Sequence, residues 1–598
     1  MLAGAAYLVW RIGWTIGPNG LWLSLPLIAA EVHGYITYLG YLFMTWSPET
    51  IRAKPPAAGA TVDFLIPTYN EPFAVLAPTI AGAVAIKYPH NTYVLDDGKR
   101  DWVKQLCRSF GVKYVTRPTN AGAKAGNLNH ALFVTYGEFV AVVDADFVPS
   151  PDFIDDMLGY FEDEKVAFVQ GPQEFYNRDS FQHLKEDGGG WHEQTLFFKT
   201  IQPGKNHWDA AFWCGCPSML RRTALESVGG VASTTVTEDL HTSVKFHAAG
   251  WKSVYHPGTV ALGIAPNDYD GFVLQRLRWA QGTMQVIRRE WKIRALSLPQ
   301  RINYVASIGT YFDAMRKAVF LSIVPLVLIT DQLPFHATAS VFIAFWVTQY
   351  GLCALANSLL GRGNNRYFMT EFFDLLKMFA FMQSTLTLIS GRRVSFRVTP
   401  KGGDAIRKPM RLLAPYTSLL AVYAFAIGIG AMRVSGALGF DTGNRTAQFG
   451  ALAWGAFILV FLAAVVNYGY RKVSNRGADR VFTRIAGSYR AEDSRKDLAI
   501  QIRDLTTEGC AFLTSKPPSV NSHISLKAGP GRKVNLKAVV RRVQLRGDGY
   551  EVGVAIEMSE LEKIPVAVLV AQSLFVKDKV NMAPDNRVLT AKPGLKAA

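Results

Sequence analysis

Residues 2–17 are apolar apart from Arg11, a Gly-Pro-Asn-Gly turn follows, and residues 21–46 form a longer apolar run interrupted by Glu31 and His33. This pattern predicts a helical hairpin through a bilayer, although the first half is short for a hydrocarbon core of about 30 Å. Glu31 inside a span is costly unless it faces protein or water. Between residues 60 and 265 the pattern changes to short β-branched runs at 61–68, 91–96, 112–117, 138–144, 166–170 and 252–262. Helical periodicity separates them, at 73–87, 101–110, 125–136, 151–161, 183–200 and 238–249. Such alternation predicts a mainly parallel sheet covered by helices, with ligands beyond the carboxyl ends of its strands. Residues 268–294 mix apolar positions with Arg276, Arg278, Arg288, Arg289, Lys292 and Arg294, which predicts an amphipathic helix on a membrane face. Apolar runs at 317–330, 338–360, 411–432 and 448–469 predict four further spans, and 367–390, with Glu371, Asp374 and Lys377, reads as a second interfacial helix. From about 475 the chain becomes β-rich, with segments 498–503, 523–527, 533–545 and 550–557 and a hairpin signal at Arg546-Gly547-Asp548-Gly549, and reads as a small barrel. The tail from 576 to 598 has no periodicity and is expected to be disordered.

The 598 residues exceed one core, so the units expected are a hairpin (1–50), an α/β domain (60–265), interfacial helices with four spans (266–470) and a barrel (475–575). The net charge of +17 could serve nucleic acid, anionic lipid or phosphate ligands, but no nucleic-acid motif is present. Lys and Arg crowd into 361–409 and are missing from 331–337, so the positive-inside rule places the former in the cytoplasm. Two spans before the α/β domain and four after it put both soluble parts on that side. Cys107, Cys214, Cys216, Cys353 and Cys510 are odd in number and scattered, which fits free thiols in reducing surroundings rather than a disulfide framework. No cleavable signal peptide is evident, because the first apolar segment runs into a second.

Candidate chemistry lies at strand ends. Asp96-Asp97-Gly98 closes one strand and Asp144-Ala145-Asp146 another. On an extended segment Asp144 and Asp146 point the same way and could share one magnesium ion, which takes few carboxylates and completes its shell with phosphates. Asp239, after Thr237-Glu238, is either a helix-start acid favoured by the dipole or a general base. Gln275, Arg278 and Trp279 share one amphipathic helix. Arg278 suits a diphosphate, and Trp279 suits a sugar ring or the membrane interface.

The ordered set Pro67-Thr68-Tyr69-Asn70-Glu71-Pro72, Asp96-Asp97-Gly98, Lys124 to Asn129, Asp144-Ala145-Asp146, Phe212-Trp213-Cys214-Gly215-Cys216, Thr237-Glu238-Asp239 and Gln275 to Trp279 resembles the processive β-glycosyltransferases of family two. The likeness is greatest to bacterial cellulose synthase catalytic subunits. It implies a GT-A-like α/β nucleotide-sugar transferase domain joined to an α-helical transmembrane bundle. It also implies that Thr68, Tyr69, Glu71, Asp96 or Asp97, and Lys124 hold uridine diphosphate, with Asp144 and Asp146 on Mg2+ or Mn2+. Asp239 would be the base, and Cys214, Gln275, Arg278 and Trp279 would line the donor and acceptor sites. Phe396-Arg397-Val398-Thr399-Pro400-Lys401-Gly402 resembles the family's gating loop, so Phe396, Thr399 and Lys401 would close over the donor. Phe-Trp-Cys-Gly-Cys departs from the family's usual Phe-Phe-Cys-Gly-Ser/Thr in the acceptor region and leaves the linkage open.

The C-terminal segment resembles a PilZ domain, a cyclic-di-GMP receptor. Asp504-Leu505-Thr506-Thr507-Glu508-Gly509 matches Asp-x-Ser-x-x-Gly with Thr for Ser, so Asp504, Thr506 and Gly509 would meet the ligand. The Arg-x-x-x-Arg signature fits Arg476 with Arg480, or Arg480 with Arg484. A basic juxtamembrane segment gripping anionic lipid is the plain alternative. Together these resemblances imply a multi-pass enzyme of the bacterial inner membrane, activated by cyclic-di-GMP. It would polymerise UDP-glucose into cellulose and pass the nascent chain across the bilayer, with room for a periplasmic accessory subunit. A β-1,3 or mixed-linkage glucan synthase, a hyaluronan- or chitin-type synthase, and a catalytically silent cyclic-di-GMP receptor are the rival readings.

Overall fold

The computed structural model describes residues 1–17, 20–47, 51–55, 59–184, 190–289, 292–390, 409–437, 442–470, 479–492, 494–529, 533–547 and 549–575. The expected gating-loop residues Phe396, Thr399 and Lys401, the linker Arg476, and the tail from 576 lie outside them.

Helices α1 (Leu2–Trp14) and α2 (Leu21–Thr45) form the N-terminal hairpin. Glu31 of α2 is buried against α1, where Arg11 Nε lies 3.2 Å from it and the Tyr7 hydroxyl donates to it at 2.7 Å. Pairing of this kind is what makes a carboxylate tolerable in an apolar helix.

The α/β domain runs β1 (Val62–Thr68), α3 (Phe73–Val84), β2 (Asn91–Asp96), α4 (Asp101–Phe110), β3 (Lys113–Val115), α5 (Ala123–Val134), β4 (Phe139–Val142) and β5 (Phe147–Pro149). It continues with α6 (Phe153–Leu158), β6 (Val166–Gln170), β7 (Glu174–Phe175), α7 (Gln202–Asn206), β8 (Ser218–Arg221), α8 (Arg222–Ser227), α9 (Glu238–Ala248), β9 (Lys252–Tyr255) and β10 (Ala261–Gly263). Seven strands order as β3-β2-β1-β4-β8-β6-β9, and β5-β10-β7 form a smaller sheet. Strand β1 pairs in parallel with both β2 and β4, so the strand order reverses there and opens a crevice beyond their carboxyl ends. Every residue of β1 is buried, as a strand covered on both faces requires. Its one charge, Asp63, is met by Arg222 at 2.9 Å.

Three expectations shift. Strand β8 is antiparallel to β4 and β6, and four residues are too few to show a period. The expected strand 252–262 splits into β9 and β10 where Pro257 removes a ladder donor. Among the described residues of the expected helix 183–200, His183 forms a bridge with His192 and helix is present only from Thr195.

Helices α10 (Tyr269–Arg289), α11 (Leu298–Gly309), α12 (Asp313–Thr330), α13 (Ala339–Gly361), α14 (Tyr367–Ser390), α15 (Pro409–Ser435) and α16 (Arg445–Gly469) follow. Among the described residues three helices are long and apolar enough to cross a membrane: Ser340–Gly361, Arg411–Ser435 and Arg445–Gly469. Helices α2 and α12, expected as spans, pack on each other in the same bundle. Glu31 and His33, and Asp313, Arg316 and Lys317, interrupt their apolar sequence. Helices α10 and α14, both expected at the membrane interface, pack side by side.

A closed barrel follows, in the order β11-β12-β13-β16-β15-β14. Its strands are β11 (Val481–Ala491), β12 (Leu498–Leu505), β13 (Gly509–Thr514), β14 (His523–Ala528), β15 (Val534–Arg546) and β16 (Gly549–Ile556), and α17 (Ile564–Leu574) ends the described chain. The β15–β16 hairpin closes with Arg546 paired to Gly549, as the turn signal predicts. The fold is thus an α/β domain, a helical bundle with three helices able to cross a membrane, and a closed six-stranded β-barrel.

Candidate active site

The crevice at the switch point collects the acidic stations. Asp144 and Asp146 are not on an extended segment, as the sequence suggested. They flank a turn between β4 and β5, closed by the Phe147 N–H donating to the Asp144 carbonyl at 2.9 Å. Asp146 is buried and Asp144 is half-exposed. Asp144 meets Lys124, from the start of α5, with Nζ 2.5 Å from Oδ1. The Asp144 N–H donates to Cys216 Sγ at 3.2 Å.

Lys124 is the hub. Its ammonium also donates to the Gly215 carbonyl at 3.4 Å. Gly215 has φ +81°, and a Cβ there would stand 3.1 Å from both Lys124 Nζ and Asp239 Oδ2. The glycine lets the backbone pass between the two charged groups. Lys124, Asp144 and Asp239, from three separate elements of the chain, therefore meet at one place. Burial opposes the charge on Lys124, but Asp144 and Glu238 outweigh it and hold its pKa above the usual lysine value.

Asp239 begins α9. Burial and the neighbouring Glu238 charge push its carboxyl up to about 7, against the Leu240 N–H and Lys124, which favour ionisation. Glu238 is also raised, again by burial first, while Lys124 and Arg278 draw it down. The fold therefore binds a proton at Asp239 more tightly than the unfolded chain does. The stability this contributes is complete below the ordinary carboxyl range and is lost as pH rises through about 7. Helix α10 backs the segment. A Cβ at Gly282 would fall 2.4 Å from Thr237 Cγ2, and the Val236 N–H donates to Gln285 Oε1 at 2.9 Å.

Asp239, Cys214 and Trp279 line one end of a cavity of about 540 Å3, whose wall continues to Tyr7 and Glu31 of the hairpin and Tyr350 of α13. Its side wall carries charges in pairs. Arg276 lies 2.6 Å from Glu193, and Lys377 bridges Glu193 at 2.5 Å and Asp374 at 2.9 Å. Lys317 meets Asp374 at 3.2 Å and pairs with Glu371, and Arg316 pairs with Asp313. Four cations face four anions. Arg276, read from the sequence only as one cation of an amphipathic helix, also stacks on Trp279 at 4.3 Å and donates to Gln275 Oε1 at 2.7 Å, so it fixes two expected site residues.

The other expected nucleotide residues are already engaged. Asp96 is fully buried and accepts from the N–H groups of Gly98 and Arg100, the Arg100 guanidinium and the Tyr114 hydroxyl. Asp97 takes both forks of Arg117 at 2.6 Å. Thr68 donates to Glu71 at 2.7 Å and accepts from Arg100 at 2.7 Å, and the Tyr69 N–H donates to Glu71 at 2.9 Å. Tyr69 itself is exposed. Arg100 and Arg117 were missed because their roles appear only once the strand ends are side by side. Replacing Arg117 by Met leaves Asp97 buried without its partner. Thermal unfolding should show a loss of about 3 kcal/mol, and an unchanged melting temperature would count against this brace. Three glutamines were also missed: Gln170, Gln173 and Gln202 hold the backbone and sulfur of Cys214 at 2.8–3.2 Å.

The carboxylates at Asp144 and Asp146 are two hard oxygen donor groups on one turn, with a cation already drawn to Asp144. This set fits an ion such as magnesium, which completes its shell with phosphate and water.

In the barrel, Arg480 Nη1 lies 2.7 Å from Asp504 Oδ2. Thr506 accepts from the Gly509 N–H at 2.9 Å and donates to its carbonyl at 3.0 Å, so these two build the turn. Arg484 is exposed on β11. Arg480 belongs to both possible arginine registers.

Family models match twice: Glycosyl transferase family 2 over residues 63–229 and Cellulose synthase over residues 226–472. The chain is 32% identical over 538 residues to the UDP-forming cellulose synthase catalytic subunit of Pseudomonas fluorescens, covering 87% of this chain and 72% of that protein. It is 31% identical to the UDP-forming cellulose synthase 1 catalytic subunit of Komagataeibacter xylinus, covering 81% and 67%. Among solved structures, a mannosyltransferase from Pyrobaculum calidifontis aligns with 62% of this chain and 100% of that one, at 18% identity and a TM-score of 0.45.

Proposed function

Because the chain belongs to the family of UDP-forming cellulose synthase catalytic subunits, we propose that this membrane-associated glycosyltransferase builds β-1,4-glucan from UDP-glucose and feeds it into its own helical bundle. The observation that carries this is the meeting of Lys124, Asp144 and Asp239 at the mouth of a cavity that runs to Tyr7 and Glu31. Asp239 takes the proton of the acceptor hydroxyl. The freed oxygen attacks the anomeric carbon of the donor, and the bond to the diphosphate breaks with its electron pair, so an α-linked donor gives a β-linked product. A magnesium or manganese ion held by Asp144 and Asp146 would neutralise charge on the diphosphate. Lys124 and Arg278 face the same charge, and Trp279 stacks on the acceptor end. The paired charges along the cavity leave no net charge on that wall, which suits a neutral polysaccharide over one bearing carboxylates.

At the C-terminus, Arg480, Asp504, Thr506 and Gly509, with Arg476 or Arg484, take cyclic-di-GMP, and the ligand draws Arg480 away from Asp504. Both soluble units face the cytoplasm of a bacterial inner membrane.

The test is to supply membranes with radiolabelled UDP-glucose and magnesium, with and without cyclic-di-GMP, and to digest the product with linkage-specific hydrolases. Label released by a β-1,4-specific enzyme, in greater amount with cyclic-di-GMP, is the expected result. Release by a β-1,3-specific enzyme, or preference for an N-acetylated donor, would transfer the chain to one of the rival syntheses. No incorporation under any condition would leave the silent receptor.

A further inference from the structure

The Asp144–Asp146 turn leads directly into β5, the edge of the small sheet β5-β10-β7. Two parts of the C-terminal domain grip the surroundings of that sheet. One is Asp479, just before the first barrel strand, whose Oδ1 accepts from Asn177 Nδ2 at 3.3 Å and Asn267 Nδ2 at 2.5 Å. Asn177 follows β7 and Asn267 follows β10, and Asn177 also exchanges two 2.8 Å hydrogen bonds with the backbone of Ala265. Asp479 thus ties together the ends of two strands of the sheet.

The other grip is α17. This helix packs along α3, and its Ala567 is buried in the core of the α/β domain. In return Val75 and Ala81 of α3, Val148 of β5 and Ile264 are buried with the apolar residues of the barrel. The two cores interlock rather than touch. Helix α3 reaches the turn itself, because Thr79, fully buried, donates its hydroxyl to the Ala145 carbonyl at 2.8 Å. Ala145 is the residue between Asp144 and Asp146. A Cβ on Gly82, one turn further along α3, would stand 2.6 Å from Val148 Cγ1, so α3 and β5 lie in close contact.

We propose that the C-terminal domain holds the Asp144–Asp146 turn from two sides, with Asp479 as a positioning residue on one and Thr79, carried on α3 beneath α17, on the other. Asp479 adjoins Arg480, which is engaged by Asp504. A phosphate ligand that draws Arg480 off Asp504 therefore moves the residue next to the anchor of the small sheet. The barrel then acts on the diphosphate site through packed backbone, by a route separate from any loop that covers the donor. This rests on the reading that Asp144 and Asp146 hold a divalent ion beside UDP and that the barrel takes cyclic-di-GMP.

The experiment uses the full chain in lipid nanodiscs. UDP binding is titrated calorimetrically with Mn2+ present, and hydrogen exchange is followed over residues 144–149, with and without cyclic-di-GMP. Asp479→Ala and Thr79→Val are expected to weaken Mn2+-dependent UDP binding about fivefold or more and to speed exchange over 144–149. Asp479→Asn and Thr79→Ser, which keep an acceptor and a hydroxyl, should stay near the parent protein. Cyclic-di-GMP should alter exchange over 144–149 in the parent and not in Asp479→Ala. Asp479→Ala and Thr79→Val with parental UDP binding and parental exchange would overturn the inference. A parent protein that binds no UDP with Mn2+ would instead overturn the reading of the diphosphate site, and the exchange comparison would still decide whether the C-terminal domain holds the turn.

Discussion

Replacing Asp239 by Asn is expected to reduce polymer synthesis by about 10²- to 10⁴-fold, the range a positioned general base contributes, while leaving the protein folded. Asn is neutral and nearly the same shape. The fold already favours the neutral form at this position, since burial and Glu238 push the carboxyl up to about 7. The melting temperature of Asp239→Asn should therefore equal or exceed that of the parent, which separates lost chemistry from lost structure. The same shift sets the pH dependence. A base must be ionised to act, so turnover of the parent should climb as pH rises through about 7. Steady-state incorporation of label from pH 5.5 to 8.5, with melting curves on the same samples, checks both statements. Normal incorporation by Asp239→Asn would remove the base from the mechanism.

What the sequence disclosed and what it hid divide along a physical line. Strand ends were legible because β-branched runs stop at acids, and Asp96, Asp144 and Asp239 all fall where the crevice forms. The barrel hairpin was legible because a Gly-rich turn between alternating runs has few other uses. Partners supplied from far along the chain were not. Nothing near Asp97 marks Arg117 as its counter-ion, and nothing near Trp279 marks Glu193 as the anchor of Arg276. Strand β13 begins on Gly509, the last residue of the segment read as a ligand turn. Helix α17 was hidden because Ile, Val and Ala over eleven residues fit a buried helix or a strand equally well. Charges on α2 and α12 depress their hydropathy, and only the packed structure shows them facing Arg11 or the acids of α14 rather than lipid.

Lys124→Met tests whether the three acidic positions work as one unit. In the parent, Lys124 neutralises Asp144 and lowers the pKa of both Glu238 and Asp239. Methionine keeps the length and the apolar stem but leaves three carboxyl groups together without that cation. Two losses should follow. A charge-assisted contact to the departing diphosphate disappears, which at about 1.5–3 kcal/mol is roughly 10- to 100-fold. The Asp239 carboxyl also rises further, because one of the groups favouring its ionisation is gone, so the acid limb of the pH profile moves to higher pH. These components separate experimentally. Raising the pH recovers what was lost to protonation of Asp239, whereas the loss on the diphosphate persists at every pH. A variant with an unmoved acid limb would show that Lys124 serves the nucleotide alone. A moved limb ties Asp239 on α9 to the Asp144–Asp146 turn after β4 through one ammonium, so that groups from separate elements act together.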